Sequence, residues 1–158
     1  MQPQVFSRVA RSGSLRIAAP PDIAFPLFGP IEEQRWAAGW APTMIYPATG
    51  AIERGAVFTV AHEDGEPSIW TIVELDPAAY RIAYVRVRPA SHIARIDIAC
   101  SGEGGATRAD VAYTFTALSE QGNAYVDSFT EAHYAEWIRS WERAIDHLLR
   151  HGVQLSAI

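Results

Sequence analysis

The fold is indicated most clearly by the stretch SHIARIDIACSGEGGATRADVAYTFTAL, residues 91–118. Apolar and polar residues alternate on both sides of its glycine-rich centre, SGEGG. The apolar members of this pattern are Ile96, Ile98, Val111, Tyr113 and Phe115, and the polar members are Arg95, Asp97, Asp110, Thr114 and Thr116. A period of two is typical of strands with one buried and one solvated face. The stretch therefore predicts two antiparallel strands joined by a glycine-rich turn.

Five earlier stretches also have the composition of strands. They are SLRIAA (14–19), TMIYP (43–47), GAVFTVAH (55–62), SIWTIVEL (68–75) and YRIAYVRVR (80–88). The turn signals EDGEP and DPAA separate the last three of them. Short strands at regular spacing with turn residues between them are typical of an antiparallel meander. We therefore expect a single sheet of about six or seven strands.

Two short helices are predicted directly after the first strand. Pro21 and Asp22 are residues that favour a helix start, and a proline soon afterwards limits this helix to about two turns. Pro30 is suited to the first position of a second helix, which Gly39 can close.

A long helix is predicted at the end of the chain. In the sequence SFTE, Ser128 and Glu131 have the spacing of a capping box at the start of a helix. Gly152 is suited to the position just beyond the helix end. Asp146 and Arg150 have the spacing of a stabilising pair on the polar side.

The predicted order of elements is one strand, two short helices, about six strands and one long helix. Strands grouped together with helices at the two ends indicate an α+β fold. A long antiparallel sheet curls because its strands twist, and the terminal helix is the element best placed to cover its concave face. If the two surfaces do not fit closely, a cavity remains between them.

Composition bounds the class of protein. The 158 residues are 49% hydrophobic and 20% charged, which predicts one globular domain over 1–158, with residues 1–12 as a candidate N-terminal extension. The net charge of −5 argues against nucleic acid as a partner. No apolar run approaches the ~20 residues of a membrane span, and the first residues lack the apolar core of a signal peptide. We therefore expect a cytoplasmic protein without membrane insertion.

Aromatic residues are concentrated where the predicted elements face one another. Tryptophans occur at the end of the second short helix, on the long helix at a spacing of four, and on a central strand; they are Trp36, Trp40, Trp70, Trp137 and Trp141. Aromatic walls with a few polar groups are typical of a small-molecule pocket. From the spacing alone, ordinary core packing is the more common explanation of such a pattern, and a pocket lining is the alternative.

Several motifs resemble a known family. The stretches EEQRWAAGWAP, MIYP, GAVFTV, WTIVELDP and YTFTALSEQGNAYV, together with the order of elements over about residues 14–152, resemble the START-like, Bet v 1-like (SRPBCC) superfamily and a bacterial subgroup of it. The resemblance implies a helix-grip fold, in which a curved antiparallel sheet is wrapped around a long C-terminal helix and encloses a hydrophobic cavity. Members bind lipids, sterols, polyketides or plant hormones. A minority are polyketide cyclases and aromatases, and others resemble the Hsp90-activator domain.

The resemblance also implies which residues line the cavity. The predicted ligand-binding residues lie on the second short helix, the inward strand positions and the long helix; they are Trp36, Trp40, Phe58, Trp70, Tyr84, Ile96, Ile98, Tyr113, Phe115, Phe129, His133, Trp137 and Trp141. No cofactor and no metal are expected. The expected partner is a small hydrophobic ligand, and a homodimer is a further possibility.

Three residues are weak candidates for catalysis. His133 could act as an acid, a base or a hydrogen-bond donor in a pocket, or it could be a structural histidine. Tyr113 could help it to polarise a carbonyl group. His92 shares the inward parity of its strand and would lie near a pocket mouth, although partial exposure at a turn is the alternative.

Other reactive side chains give weaker signals. Arg86 could hold a carboxylate or enolate if it points inward, but Ala83, Val85 and Val87 form the more natural core face of that strand, which would leave Arg86 solvated. Glu74 is expected to be exposed. Exposed or structural roles are expected for the remaining reactive residues, which are His62, Arg88, Cys100, His147 and His151.

These observations predict that the protein binds a small hydrophobic or aromatic molecule, lipid-like or polyketide-like, in an internal cavity. A cyclase or aromatase-like enzyme is the first alternative. An interaction module similar to the Hsp90-activator domain is the second.

Overall fold

The computed structural model describes residues 5–155. Its centre is a seven-stranded sheet in the order β1-β7-β6-β5-β4-β3-β2, in which every neighbouring pair is antiparallel. The strands are β1 (Arg8–Ile17), β2 (Pro42–Tyr46), β3 (Val57–His62), β4 (Gly65–Asp76), β5 (Arg81–Arg88), β6 (His92–Glu103) and β7 (Ala106–Ala117). The sheet is thus a meander from β2 to β7 that β1 joins at the β7 edge, which confirms the predicted α+β architecture.

The predicted hairpin of residues 91–118 is formed by β6 and β7. Ile96 faces Tyr113 in the register, and Ile98 faces Val111. Gly104 and Gly105 make the turn with φ angles of 59° and 86°, in the left-handed region that favours glycine. The alternation of apolar and polar residues therefore sets the inner and outer faces of these two strands as predicted.

The connection between β1 and β2 contains only short helical turns. Helix α1 (Pro21–Ala24) has its proline at the first position and continues into a 3-10 turn, Phe25–Phe28. A second 3-10 turn spans Glu32–Arg35. The two predicted short helices are therefore present, but the second one is a single turn that ends before Trp36 and does not extend to Gly39.

A helix that the sequence pattern did not predict precedes the long helix. Helix α2 (Glu120–Asp127) is capped by Ser119, whose hydroxyl accepts a hydrogen bond from the Gly122 N–H at 3.0 Å. The capping box predicted at Ser128 is wrong, because the Ser128 hydroxyl donates to the carbonyl of Tyr125 at the end of α2.

The long helix α3 (Glu131–His151) is capped two residues later than predicted. The Thr130 hydroxyl accepts from the His133 N–H at 3.2 Å. At the other end, Gly152 has a φ of 72° and closes the helix as predicted, and the Asp146–Arg150 pair is present at 2.9 Å.

Helix α3 packs chiefly against β1 on the inner face of the sheet. The buried residues of α3 are Tyr134, Ile138, Ile145 and Leu148. Tyr134 lies against Gly13, where an added Cβ would be 3.4 Å from the Tyr134 ring, and its hydroxyl donates to the carbonyl of Val111 at 2.6 Å. The helix therefore lies closest to the sheet at β1.

Residues 8–12 of the candidate N-terminal extension are part of β1 and pair with β7. Residues 1–4 lie outside the described part of the chain. Within residues 5–155, no helix is long and apolar enough to cross a membrane.

Candidate functional site

A cavity of about 480 Å³ lies where α3, the segment 33–40 and the sheet meet. Six of its fourteen lining residues are aromatic, and three ionisable side chains and a serine are the polar members. The lining residues are Glu33, Trp36, Ala37, Ala38, Gly39, Trp40, Trp70, Arg86, Tyr113, Trp137, Ser140, Trp141, Ala144 and Leu155.

The segment 33–40 is fixed by its two tryptophans. The indole N–H of Trp36 donates to the carbonyl of Leu27 at 2.7 Å, and that of Trp40 donates to the carbonyl of Pro30 at 2.7 Å. The Trp40 ring also meets Trp70 of β4 edge to face, with centroids 5.2 Å apart. Both indole N–H groups are thus used to hold the loop in place, and both rings also pack against other aromatic side chains.

Helix α3 contributes the opposite wall. Trp137 and Trp141 are four residues apart and therefore lie one above the other on the helix, with ring centroids 5.2 Å apart. Trp137 is 4.9 Å from the Tyr113 ring, and Trp141 is 5.6 Å from the Trp36 ring. These rings connect the helix to the sheet on one side and to the segment 33–40 on the other.

The tryptophans of α3 differ from the others in their hydrogen bonding. Trp36, Trp40 and Trp70 each donate to a protein acceptor, whereas the indole N–H groups of Trp137 and Trp141 have none among residues 5–155. Both residues are half-buried, and neither of these two nitrogens is completely buried. They are therefore available as donors to a bound molecule or to water.

Arg86 points into the cavity, which corrects the expectation that it is solvated. The register pairs Arg86 with Trp70 on one side and with Ala94 on the other, and both of those residues are buried on the inner face. Neighbours in register share a face, so β5 directs Arg86 inward. The apolar residues Val85 and Val87 lie on the outer face and are only half-buried.

The guanidinium of Arg86 is surrounded by rings and neutral groups. Its Cζ atom lies 5.4 Å from the centroid of the Trp70 ring and 5.9 Å from that of Tyr113, and its Nη2 atom lies 3.1 Å from His92 Nε2 and 3.4 Å from the Tyr125 hydroxyl. Arg86 forms no ion pair with a carboxylate of residues 5–155. Its Nε atom is the one buried side-chain nitrogen or oxygen in this range that lacks a partner.

His92 supports Arg86 from behind and does not line the cavity. Its ring is 1% exposed and stacks on Tyr125 with centroids 4.2 Å apart. Burial, together with the positive charge of Arg86, lowers the pKa of His92 to about 4. The inward parity predicted for His92 is correct, and the alternative of partial exposure at a turn is not observed.

Glu33 is the acidic residue of the cavity, and sequence reasoning missed it. Its side chain borders the open volume and keeps part of its accessible surface, but protein atoms otherwise enclose it. This removal from bulk water raises the pKa of Glu33 to about 8. Its negative charge in turn contributes to the raised pKa values of Tyr84 and Tyr113. In the sequence, Glu32 and Glu33 have the position of acidic residues in the first turn of a helix, which gives no indication of a cavity.

Six of the thirteen predicted ligand-binding residues line the cavity. They are Trp36, Trp40, Trp70, Tyr113, Trp137 and Trp141. Six others are buried in the core around it: Phe58, Tyr84, Ile96, Ile98, Phe115 and Phe129. His133 is exposed and touches only the edge of this group, with its ring 5.2 Å from that of Phe129. The structure therefore does not bring His133 to the cavity.

The remaining reactive residues lie elsewhere. Glu74 is exposed, as expected, and pairs with Arg95 at 3.2 Å. Burial raises the pKa of the Cys100 thiol to about 12, so this sulfur is protonated at neutral pH. The rings of His147 and His151 are 4.5 Å apart. Residues 5–155 contain no group of three or more side chains that could hold a metal ion.

A second, larger depression of about 910 Å³ lies on the sheet face that points away from α3. Its lining contains charged residues such as Arg54, Asp97 and Arg108, and no aromatic ring. Small-molecule sites are mostly apolar with a few placed polar groups. The aromatic cavity therefore fits a ligand site better, although it is the smaller of the two.

The seven-stranded antiparallel sheet and the long helix packed on it define the fold. This chain has the helix-grip fold of the Bet v 1-like, or START-like, SRPBCC superfamily, as its sequence predicts. No protein-family model matches the sequence, and no curated protein sequence matches it either. The bacterial subgroup therefore remains a prediction.

Solved structures similar to this chain share its fold at low sequence identity. One is norcoclaurine synthase from Thalictrum flavum in complex with dopamine and hydroxybenzaldehyde, with a TM-score of 0.64, 11% identity and coverage of 92% of this chain and 89% of that chain. Another is the Zhui aromatase/cyclase from Streptomyces sp. R1128, with a TM-score of 0.65, 13% identity and coverage of 94% of this chain and 100% of that chain. A third is Ara h 8.0201, with a TM-score of 0.63, 13% identity and coverage of 88% of this chain and 98% of that chain. At this identity the similarity shows the fold alone.

Proposed function

We propose that this protein binds a small aromatic or hydrophobic molecule in the cavity between α3, the segment 33–40 and the sheet. The observation that carries the proposal is the aromatic lining: five tryptophans and Tyr113 surround about 480 Å³ of open volume. A volume of this size falls within the range of small-molecule sites. Flat ring faces offer a large contact area to an aromatic ligand at low conformational cost.

Two features of the comparisons support this proposal. Norcoclaurine synthase has the same fold and was solved with two aromatic compounds, dopamine and hydroxybenzaldehyde. The Zhui protein has the same fold and is an aromatase/cyclase. Both descriptions concern those proteins, and they make an aromatic or polyketide-like ligand the first class to test.

Native mass spectrometry of the protein purified from its own host tests the proposal directly. We expect a retained small molecule, and its mass would indicate its chemical class. In parallel, thermal unfolding with neutral bicyclic compounds such as 2-naphthamide should show a higher Tm, because a ligand that binds only the folded state stabilises it by mass action. A protein that carries no small molecule and whose Tm does not respond to any aromatic compound would contradict the proposal. The same spectra report whether the chain is a monomer or a homodimer.

A cyclase-like enzyme is a second candidate, and the position of Glu33 favours it. A carboxyl group with a pKa of about 8 that borders an aromatic cavity can exchange a proton with a bound carbonyl compound near neutral pH. We expect wild-type protein to accelerate deuterium incorporation next to the carbonyl of 2-acetonaphthone in D₂O, as followed by NMR. Glu33→Gln should abolish the acceleration, whereas Glu32→Gln, next to it on the exposed side, should not. Equal rates with and without protein would rule out this activity for ketones of that size.

A further inference from the structure

The cavity contains a cation that the protein does not neutralise. Arg86 has rings, the neutral ring of His92 and the Tyr125 hydroxyl around it, and no carboxylate in contact. The other arginine on the same face of β5, Arg88, pairs with Asp64 at 2.5 Å. The two side chains are two residues apart on one strand and point to the same face of the sheet. The lack of a carboxylate partner at Arg86 is therefore a feature of the cavity and does not follow from its position on β5.

A partly desolvated guanidinium without a counter-charge is costly to maintain. Contacts with aromatic faces offset some of this cost, but they leave hydrogen-bonding capacity unused. The Nη1 atom of Arg86 has no partner among residues 5–155 and, unlike Nε, keeps some accessible surface. The Tyr113 hydroxyl also has no partner in this range, although its residue is only 3% exposed. Two hydrogen-bond donors that border the cavity are therefore unpaired.

Glu33 does not serve as the missing counter-charge. Burial alone raises the pKa of its carboxyl group, without an opposing contribution from Arg86, so the two side chains border the same volume without forming a pair. A ligand can consequently lie between them. Its negative group would contact Arg86, and a neutral polar group would be tolerated near Glu33, which is protonated at neutral pH.

We infer that the ligand of this cavity is an aromatic carboxylic acid, whose carboxylate accepts hydrogen bonds from Arg86 Nη1 and the Tyr113 hydroxyl while its ring lies among the tryptophans. This inference rests on the proposed function and specifies its ligand class. A single arginine among aromatic rings suits a monoanion better than a phosphate ester, which carries more charge and is usually held by several donors.

Calorimetric titration with two matched compounds tests the inference. 2-Naphthoate and 2-naphthamide have nearly the same shape and differ in charge. At pH 7 we expect wild-type protein to bind the carboxylate at least about ten-fold more tightly than the amide, since hydrogen bonds to charged groups contribute more than neutral ones. Arg86→Met should reduce this ratio to about one, and Arg86→Lys should retain part of it.

Arg88→Met is the matched control, because it removes an arginine of the same strand and face that is already paired. It should keep the wild-type ratio. Near-ultraviolet circular dichroism of each variant shows whether the aromatic cluster stays folded. Equal affinity of wild type for both compounds, or a preference that survives in Arg86→Met, would overturn the inference and leave the proposed function intact. Absence of binding by both compounds would instead count against the proposed function itself.

Discussion

The Nη2 atom of Arg86 lies 3.1 Å from Nε2 of His92, and Nδ1 of the same ring lies 2.8 Å from the Ser91 hydroxyl. A guanidinium can only donate hydrogen bonds, so Nε2 of His92 accepts. The geometry thereby assigns the proton to Nδ1, which donates to Ser91. The ring is neutral when it holds Arg86, and protonation would place two cations in contact.

The stability of the protein should therefore depend on His92 in mildly acidic solution. The pKa of His92 is lowered from 6.5 to about 4 in the folded state. Its stabilising contribution is present above pH 6.5 and is lost as pH falls towards 4, by up to about 3 kcal/mol. Urea unfolding at pH values from 4 to 7 should show this loss in wild type but not in His92→Gln. His62→Gln is the control, since His62 is more exposed; if it flattened the profile as much, the assignment to His92 would be wrong.

Glu33 should make the stability of the protein fall as pH rises, which is the opposite of the effect of His92. Its folded pKa of about 8 lies above the ordinary value of 4.5, so its contribution to stability is complete below pH 4.5 and is lost as pH rises through 8. The charge of Glu33 contributes to the raised pKa values of Tyr84 and Tyr113, and Arg86 borders the same cavity.

We therefore expect the free energy of unfolding of wild type to fall relative to Glu33→Gln by roughly 2–4 kcal/mol between pH 5 and pH 9. Urea unfolding across this range measures the difference, and Glu32→Gln serves as the exposed control. Parallel pH profiles of wild type and Glu33→Gln would show that Glu33 is ionised in the folded protein.

Filling the cavity should abolish ligand binding without unfolding the protein. Ala144 lines the cavity, whereas Ala132 is exposed on the same helix. We expect Ala144→Phe to weaken binding of 2-naphthamide by ten-fold or more and to leave Tm within a few degrees of wild type. Ala132→Phe should change neither.

The same pair of variants separates a ligand-binding protein from an interaction module. A partner protein that binds wild type and Ala144→Phe equally well would favour the module and would show that occupancy of the cavity does not matter for that interaction.

The tryptophans should divide into structural and ligand-facing residues. Trp36 is 2% exposed and its N–H bonds to Leu27, so Trp36→Phe should cost about 2 kcal/mol or more through the lost hydrogen bond and the smaller ring. Trp141 has no protein acceptor for its N–H, and Trp141→Phe should cost about 1 kcal/mol. Calorimetric titration should show the larger loss of ligand affinity for Trp141→Phe and the smaller loss for Trp36→Phe. Equal losses of stability would indicate that both indoles are structural.

Gly122 should be sensitive to the smallest substitution. A Cβ at this position would lie 1.8 Å from the carbonyl oxygen of Ser91, and that oxygen is held by the N–H of Leu118 at 2.7 Å. Gly122→Ala would therefore move α2, which carries Tyr125, away from His92. We expect a loss of about 2–3 kcal/mol in urea unfolding, although alanine normally favours a helix. Gln121→Ala, exposed beside it, should be neutral, and a neutral Gly122→Ala would contradict the packing of α2.

The position of His133 shows where the helical pattern was insufficient. The sequence places His133, Trp137 and Trp141 on one stripe, but α3 buries Tyr134 and Ile138 against Gly13 of β1. Its buried face is thus rotated towards β1, and the cavity lies beside that face. Trp137 and Trp141 border the cavity from this flank, while His133, one turn closer to the helix start, is exposed. A stripe of spacing four predicts a shared side of a helix, but it does not predict what that side meets.

The sequence by itself determined the elements that depend on local periodicity and chain stereochemistry: the β6–β7 hairpin with its glycine turn, the meander, the proline-limited short turns and the long helix that Gly152 ends. Only the tertiary structure decided which groups enter the cavity. Strand β5 has valines on one side and arginines on the other, and hydrophobicity alone favoured the valine side as core. The hydrogen-bonded register pairs Arg86 with Trp70 of β4 and Ala94 of β6. Residues paired across neighbouring strands point to the same side of the sheet, so Arg86 points inward with them.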